Sequence, residues 1–421
     1  MRQFIIALAT ISLMQSPAAY SQLTLERCRE KARANYPLIK QYGLIEKSAE
    51  YNLSNAGKGY LPQVSLTAKV TYQSETTEIP INIPGIPAFA MSKDQYQAIT
   101  EVSQLIWDGG AIRSQKKIIQ QSAGVEKQNL EVSLYNLNER INQLFFGVLV
   151  IQEQLKQNDL LRAGWQTNID RVTAWISNGV ASQADLDAFK AELLRTAQRS
   201  TELAALQKSY RQMLSAMTGE PADDGVTLVR PESSVPVESS MVNHRPELQF
   251  FEYQKDLLAG QRDAIFSANR PKIGMFLQAG YGKPGLNILN NQFSPFAIGG
   301  ARITWNLSNY YSQKNNVSKL GINGQSVDLQ REVFLYNTNL ASIQQSNEIE
   351  KIRELIGRDA DIIALRQSIR KTSEAKVGNG TLSVSELIRD IQAEDMARQE
   401  KSLHEMQLLI SIYNLKNITN N

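Results

Sequence analysis

The residue types that usually carry chemistry are few and scattered in this chain. Its 421 residues include two histidines, His244 and His404, and one cysteine, Cys28. A zinc site or a Cys/His nucleophile needs several such groups at short spacings, and no Cys/His cluster here has them. A single cysteine cannot close an intrachain disulfide. No glycine-rich phosphate loop is present. Acidic residues are abundant, but on long helical stretches carboxylates read as solvated faces rather than catalytic pairs. The formal charge of +3 is too small to imply nucleic acid or an acidic surface as a partner. The sequence therefore predicts neither enzyme nor cofactor site, and function must lie in the architecture.

That architecture is duplicated. Tyr60-Leu61-Pro62 before a strand-like run recurs as Asn269-Arg270-Pro271 before another, and the prolines are 209 residues apart (62 and 271). Ile106-Trp107-Asp108 recurs as Thr304-Trp305-Asn306. Asn178-Gly179-Val180-Ala181-Ser182-Gln183-Ala184-Asp185-Leu186 recurs as Asn379-Gly380-Thr381-Leu382-Ser383-Val384-Ser385-Glu386-Leu387. Nearly constant offsets across a half-chain indicate a repeated unit. The expected organisation is a signal peptide over 1–21, a first repeat over 22–219, a linker over 220–243 and a second repeat over 244–421. Arg2, the apolar run Phe4 to Met14 and the small residues Ala19 and Ser21 form the signal. Pro221, Pro231, Pro236 and several serines make the linker read as a segment running over a surface.

Within each repeat, proline placement predicts long helices. All 13 prolines lie at or before Pro295, and none lies between Pro87 and Pro221. An interior proline would cost about 3 kcal/mol, so these free tracts permit uninterrupted helix. Leu130, Leu134, Leu137, Ile141, Leu144, Val148, Ile151 and Leu155 follow the alternating 4,3 spacing of a coiled-coil seam. Leu329, Val333, Tyr336, Leu340 and Ile343 repeat it in the second half. Ser182 with Asp185, and Ser383 with Glu386, have capping-box spacing after Gly179 and Gly380. Each repeat should thus contain a helical hairpin with a short tip.

The strands show period two. Val64, Leu66, Ala68, Val70 and Tyr72 alternate with polar neighbours, as do Ile273, Met275, Leu277, Ala279 and Tyr281 with theirs. Their partners should be Tyr96 to Trp107 and Phe296 to Leu307. Strands of about ten residues with one apolar face match the pattern of membrane β-barrels. A half-buried soluble strand has the same alternation, so the number of strands and the export signal carry the inference. Trp107 and Trp305 sit where an interfacial aromatic belt would place them. Glu75 to Asp94, with Ile79-Pro80, Ile83-Pro84 and Ile86-Pro87, and Lys283 to Pro295 read as exposed loops. No segment has the ~18 apolar residues of a transmembrane helix. Four strands cannot close a membrane barrel, and an open edge cannot face lipid, so the chain should oligomerise. Among strand residues, Lys69, Gln73, Glu101 and Gln278 are expected to face a lumen.

The whole mature sequence resembles the TolC family of outer-membrane efflux channels. Leu23-Thr24-Leu25-Glu26-Arg27-Cys28, then Ala34-Asn35-Tyr36-Pro37, is similar to the family's usual start. His244-Arg245-Pro246-Glu247-Leu248 resembles its second-repeat opening. The resemblance implies a homotrimer, with a 12-stranded outer-membrane β-barrel continued by an α-helical periplasmic barrel. It implies a periplasmic adaptor and an inner-membrane pump as partners. The duct would serve efflux or type I protein secretion. The resemblance also implies that the adaptor docks on the tips: Gly179, Val180, Ala181, Ser182, Asp185 and Leu186, with Gly380, Thr381, Leu382, Ser383, Glu386 and Leu387. Glu386 matches a position where some members carry a gating aspartate. Arg389 stands where they place a second acid, and Leu382 where they place a latching arginine, which points to a differently held gate. The rival reading is a periplasmic coiled-coil adaptor or structural protein.

Overall fold

The computed structural model describes residues 22–76, 91–223, 225–232 and 243–420. The signal-peptide segment and the Ile-Pro loop at 79–87 lie outside them. The chain divides into two compact units, each drawing on both repeats.

One unit comprises Lys40–Val132 and Pro246–Leu335. Its centre is a four-stranded antiparallel sheet of β2 (Gln63–Tyr72), β3 (Asp94–Trp107), β5 (Lys272–Lys283) and β6 (Ser294–Thr304), in that order. Each repeat supplies one hairpin, and the two hairpins join through β3 and β5. The outer strands β2 and β6 have no further partner strand among the described residues. Helices α2 (Gln41–Gly57) and α6 (Pro246–Ala268) precede the strand pairs, and α3 (Ala111–Tyr135) and α7 (Asn309–Gly378) follow them. The recurring Trp-Asp and Trp-Asn mark the strand-to-helix turns. Asp108 is buried and accepts from the backbone N–H groups of Gly110 at 2.8 Å and Ile112 at 2.6 Å. Asn306 accepts from the N–H of Ser308 at 3.2 Å. Short side-chain oxygens satisfy donors that a new helix leaves open, which explains the acid or amide at this step.

The other unit comprises the described residues up to Ile39, then Ser133–Arg245 and Tyr336–Asn421. It holds α1 (Leu25–Asn35), α4 (Leu137–Ser177), α5 (Gln183–Thr218) and α8 (Val384–Thr419), with the latter part of α7. Helix α4 packs along α5 and α8, and α1 packs on α4 and α5. The predicted first seam is the core: Leu134, Leu137, Ile141, Leu144, Val148 and Ile151 are all buried. Residues 111–177 form two nearly continuous helices, α3 and α4, separated only at Asn136. Cys28 is fully buried in this core, and burial pushes its thiol up to about 12, so it packs as an inert apolar group.

The expectation of a surface linker fails for its first part. Ala222, Val226 and Leu228 are buried in the main core, and β4 (Thr227–Leu228) pairs in parallel with β1 (Gln22–Leu23). Buried Arg211 donates to the carbonyls of Ala222, Asp223 and Val226 at 2.8–3.2 Å. The prolines and serines of the segment hid three apolar anchors at short spacing. Residues 233–242 lie outside the described residues.

Candidate functional site

Two surfaces of this chain are the candidates for its function, the sheet and the hairpin tips. The sheet has two chemically distinct faces. The register pairs Ser65 with Glu101, and Glu101 with Gln278, so these lie on one face, together with Lys69 and Gln97. On β3 and β5 the residues of this face, such as Ile99, Glu101, Phe276 and Gln278, are half-buried by one another. Across it, Gln278 Nε2 donates to Glu101 Oε2 at 2.7 Å, and Arg302 lies 3.6 Å from Glu101. The opposite face carries Val64, Leu66, Val70 and Tyr72, each 69–78% exposed, with Met275, Leu277, Tyr281 and Ile303. The polar face is thus the more crowded of the two and the apolar face the more exposed. Lys69, Glu101 and Gln278 share that face as the alternation predicted. Gln73 falls just past the end of β2.

The tips are near copies of one another. Gly179 and Gly380 adopt φ values of 75° and 71°, a left-handed conformation that any side chain would strain. At the first tip, the N–H groups of Gly179 and Val180 donate to the carbonyls of Ile176 and Trp175 at 3.0 and 2.9 Å. At the second, Gly380 and Thr381 donate to Val377 and Lys376, both at 2.9 Å. These are paired Schellman closures. Both capping boxes form: Ser182 N donates to Asp185 Oδ2 at 2.8 Å, and Ser383 N to Glu386 Oε2 at 3.2 Å.

Beneath the tips lies one apolar cluster shared by both hairpins, with Trp165, Val172 and Phe189 from the first and Val377, Val384 and Ile388 from the second. Leu186 and Leu387 are buried within it. They support the tip surface instead of presenting a side chain on it, because each lies about one turn past its N-cap, on the face turned to the core. Val180, Ser182, Thr381, Ser383, Glu386 and Arg389 are exposed, and Ala181, Asp185 and Leu382 are half-exposed. Hydrogen bonds from the Ser383 hydroxyl and backbone, then the charge of Arg389, hold the Glu386 carboxyl below the ordinary glutamate range. Its oxygen is engaged in the cap. Trp107 and Trp305 are both exposed, and Trp305 Nε1 donates to the Asn269 carbonyl at 2.9 Å.

Behind the tips, the second hairpin holds an ionic cluster that sequence reading missed. Arg370 Nε reaches Glu394 at 2.5 Å, Arg398 reaches Glu394 at 2.7 Å, and Arg370 also pairs with Glu374. Arg171 of the first hairpin meets Glu374 at 3.2 Å. Burial opposes the charge on Glu394, but hydrogen bonds from Arg398 and Arg370 outweigh it and keep the carboxyl below the usual range. Next to it, burial pushes Asp395 up to about 6. Ser373 donates to Asp390 at 2.5 Å, and His404 Nδ1 lies 2.8 Å from buried Asp359. Glu394 and Asp359 are thus not solvated faces. The i,i+4 spacings of Arg370 with Glu374 and of Glu394 with Arg398 were visible in the sequence, but such spacing does not show burial.

Among the described residues, no His/Cys/Asp/Glu group could hold a metal, and no helix is long and apolar enough to cross a membrane. Comparison with curated protein sequences finds no match. The fold, by contrast, recurs across the whole chain in solved outer-membrane proteins. VceC of Vibrio cholerae aligns with a TM-score of 0.65 at 11% identity, covering 94% of this chain and 96% of that one. The CmeC channel of Campylobacter jejuni aligns at 0.63 and 13%, covering 99% and 94%. The open-state MtrE channel of Neisseria gonorrhoeae aligns at 0.62 and 12%, covering 94% and 89%. Residues 28–220 match the family described as outer membrane efflux protein. Over its first repeat the chain is thus similar to the outer membrane efflux protein family, and over nearly its whole length it has the fold of these outer-membrane channels.

Proposed function

We propose that three copies of this chain close one barrel from twelve strands, and that the assembled duct accepts cargo from a periplasmic adaptor and an inner-membrane pump. Channels of this family form trimers and work with such partners. The observation that carries the reading for this chain is the open sheet. Strands β2 and β6 end it without a partner strand among the described residues, and its exposed face is apolar. Lipid does not tolerate unpaired strand edges and water does not tolerate an exposed apolar face; closure with other copies would pair the edges, and lipid would cover the face. A periplasmic coiled-coil adaptor, the rival reading, leaves that face without a cover.

The remaining roles follow from position. Trp107 and Trp305 would form the aromatic belt at one membrane interface. The exposed tip residues, with Leu186 and Leu387 supporting them from below, would receive the adaptor. Glu386 and Arg389 would line the periplasmic entrance, where three copies set acids and bases in alternation instead of a purely acidic ring. The test is the mass of the detergent-extracted protein from an outer-membrane fraction, by size exclusion with light scattering. Three chains per particle are expected, and a soluble periplasmic monomer would refute the duct. For the gate, Glu386→Gln should change conductance and its sensitivity to divalent cations; unchanged recordings would remove Glu386 from that role.

A further inference from the structure

We propose that the strand-built part of the duct is an anion-preferring lining, suited to small organic anions. The proposal rests on the duct reading and adds its cargo class. The four strands contain six charged residues: Lys69, Asp94, Glu101, Lys272, Lys283 and Arg302. The register sorts them. Asp94 and Lys283 fall at one end of the apolar face and pair with each other at 3.3 Å. The other four share the polar face, which lines the lumen in the duct reading, three cations against one anion.

The single anion is already engaged. Glu101 accepts from Gln278 at 2.7 Å and lies 3.6 Å from Arg302. Arg302 is also seated over the Phe276 ring, 4.7 Å from its centroid. Lys69 and Lys272 are exposed and make no ion pair among the described residues. Two uncompensated positive charges per copy therefore remain on that face. Along a lumen with low-dielectric walls, a repeated charge of one sign shapes the field and enriches the opposite ion.

The same face carries apolar surface beside these cations. Phe276 pairs across strands with Gly300, and Phe296 with Gly280. Each ring lies over its glycine, where a Cβ would collide with it: 3.2 Å from the Phe276 ring at Gly300 and 2.4 Å from the Phe296 ring at Gly280. Rings on the same face as the lysines suit an anion with an apolar body better than a bare inorganic ion.

The test is the reversal potential of the purified wild-type protein in a planar bilayer under a KCl gradient, compared with K69E/K272E and K69Q/K272Q. Wild-type channels should pass chloride in preference to potassium. The permeability ratio should fall severalfold in the glutamine variant and drop below one in the glutamate variant. Both lysines are exposed, and insertion as conducting units shows that each variant has folded. Potassium preference in wild type, or a ratio unmoved by either variant, would overturn the anion lining while leaving the duct intact. Absence of conducting units from wild type would strike the duct reading itself.

Discussion

The two helical hairpins carry the same seam spacing, and only one of them buries it. In the first, Leu134 through Ile151 lie in the core against α5, α8 and the segment around Leu23. In the second, Leu329, Val333, Tyr336, Leu340 and Ile343 are 47–64% exposed. Helix α4 runs at packing distance along α5, while no comparable backbone approach joins α7 to α8 among the described residues. Three polar ties span that pair: Arg370–Glu394, Ser373–Asp390 and Asp359–His404. Heptad spacing specifies a face that must be covered and leaves open who covers it. The first seam is covered within the chain, by α5 and by α8 of the second repeat, while the second seam stays uncovered among the described residues and would suit a neighbouring copy.

Matched substitutions should separate these roles. Lysine at Ile141, fully buried, places an unpaired charge in the core and costs several kcal/mol, enough to unfold a marginally stable chain. Lysine at Leu340 should leave the circular dichroism of the chain native and reduce the trimer fraction on size exclusion. If Leu340→Lys assembles normally, the exposed seam is not a contact between copies.

Next in size is Glu394→Ala, which leaves Arg370 and Arg398 facing each other without their shared acid. The site is only partly enclosed. Its cost should fall between the ~1 kcal/mol of a surface pair and the ~3–5 kcal/mol of a buried one, read from chemical unfolding midpoints.

Asp395 gives the opposite sign. Burial raises its folded pKa to about 6, so the native state holds a proton that the unfolded chain releases near pH 4. Its contribution is neutral below pH 4, becomes increasingly destabilising between pH 4 and 6, and is fully present above 6. Asp395→Asn should therefore stabilise the protein at pH 7 by roughly 1–3 kcal/mol and have little effect at pH 4. Glu394, held below its usual range, contributes stability that is lost only as pH falls into the acid range.

The smallest expected effects come from the caps. Ser182→Ala and Ser383→Ala should each cost about 1 kcal/mol, equally in both hairpins, because the two boxes have the same geometry. Ser383→Ala should in addition free the Glu386 carboxylate and change conductance, whereas Ser182→Ala should not.

Local signals in the sequence read well. The capping boxes, the tip glycines, the first seam and the strand alternation all lie where spacing predicted, because each depends on neighbours within a few residues. The paired strands run Asp94–Trp107 and Ser294–Thr304, against expected spans of Tyr96 to Trp107 and Phe296 to Leu307. Long-range facts did not read. Arg211 gathering the carbonyls of Ala222, Asp223 and Val226 left no periodic trace. Neither did the burial of Leu186 and Leu387, nor the reach of Arg370 across to Glu394. Each depends on which surface folds back onto which, and period alone does not encode that.

The open sheet is the centre of this account, and amide hydrogen exchange on the detergent-extracted protein addresses it most directly. Strands β3 and β5 are hydrogen-bonded on both sides within one chain, whereas β2 and β6 each have a free edge among the described residues. Closure by neighbouring copies predicts slow exchange along β2 and β6, comparable to β3 and β5, and loss of that protection when heat separates the copies. Rapid exchange along β2 and β6 in the intact particle would mean that the edges stay open and that copies of this chain do not close a barrel.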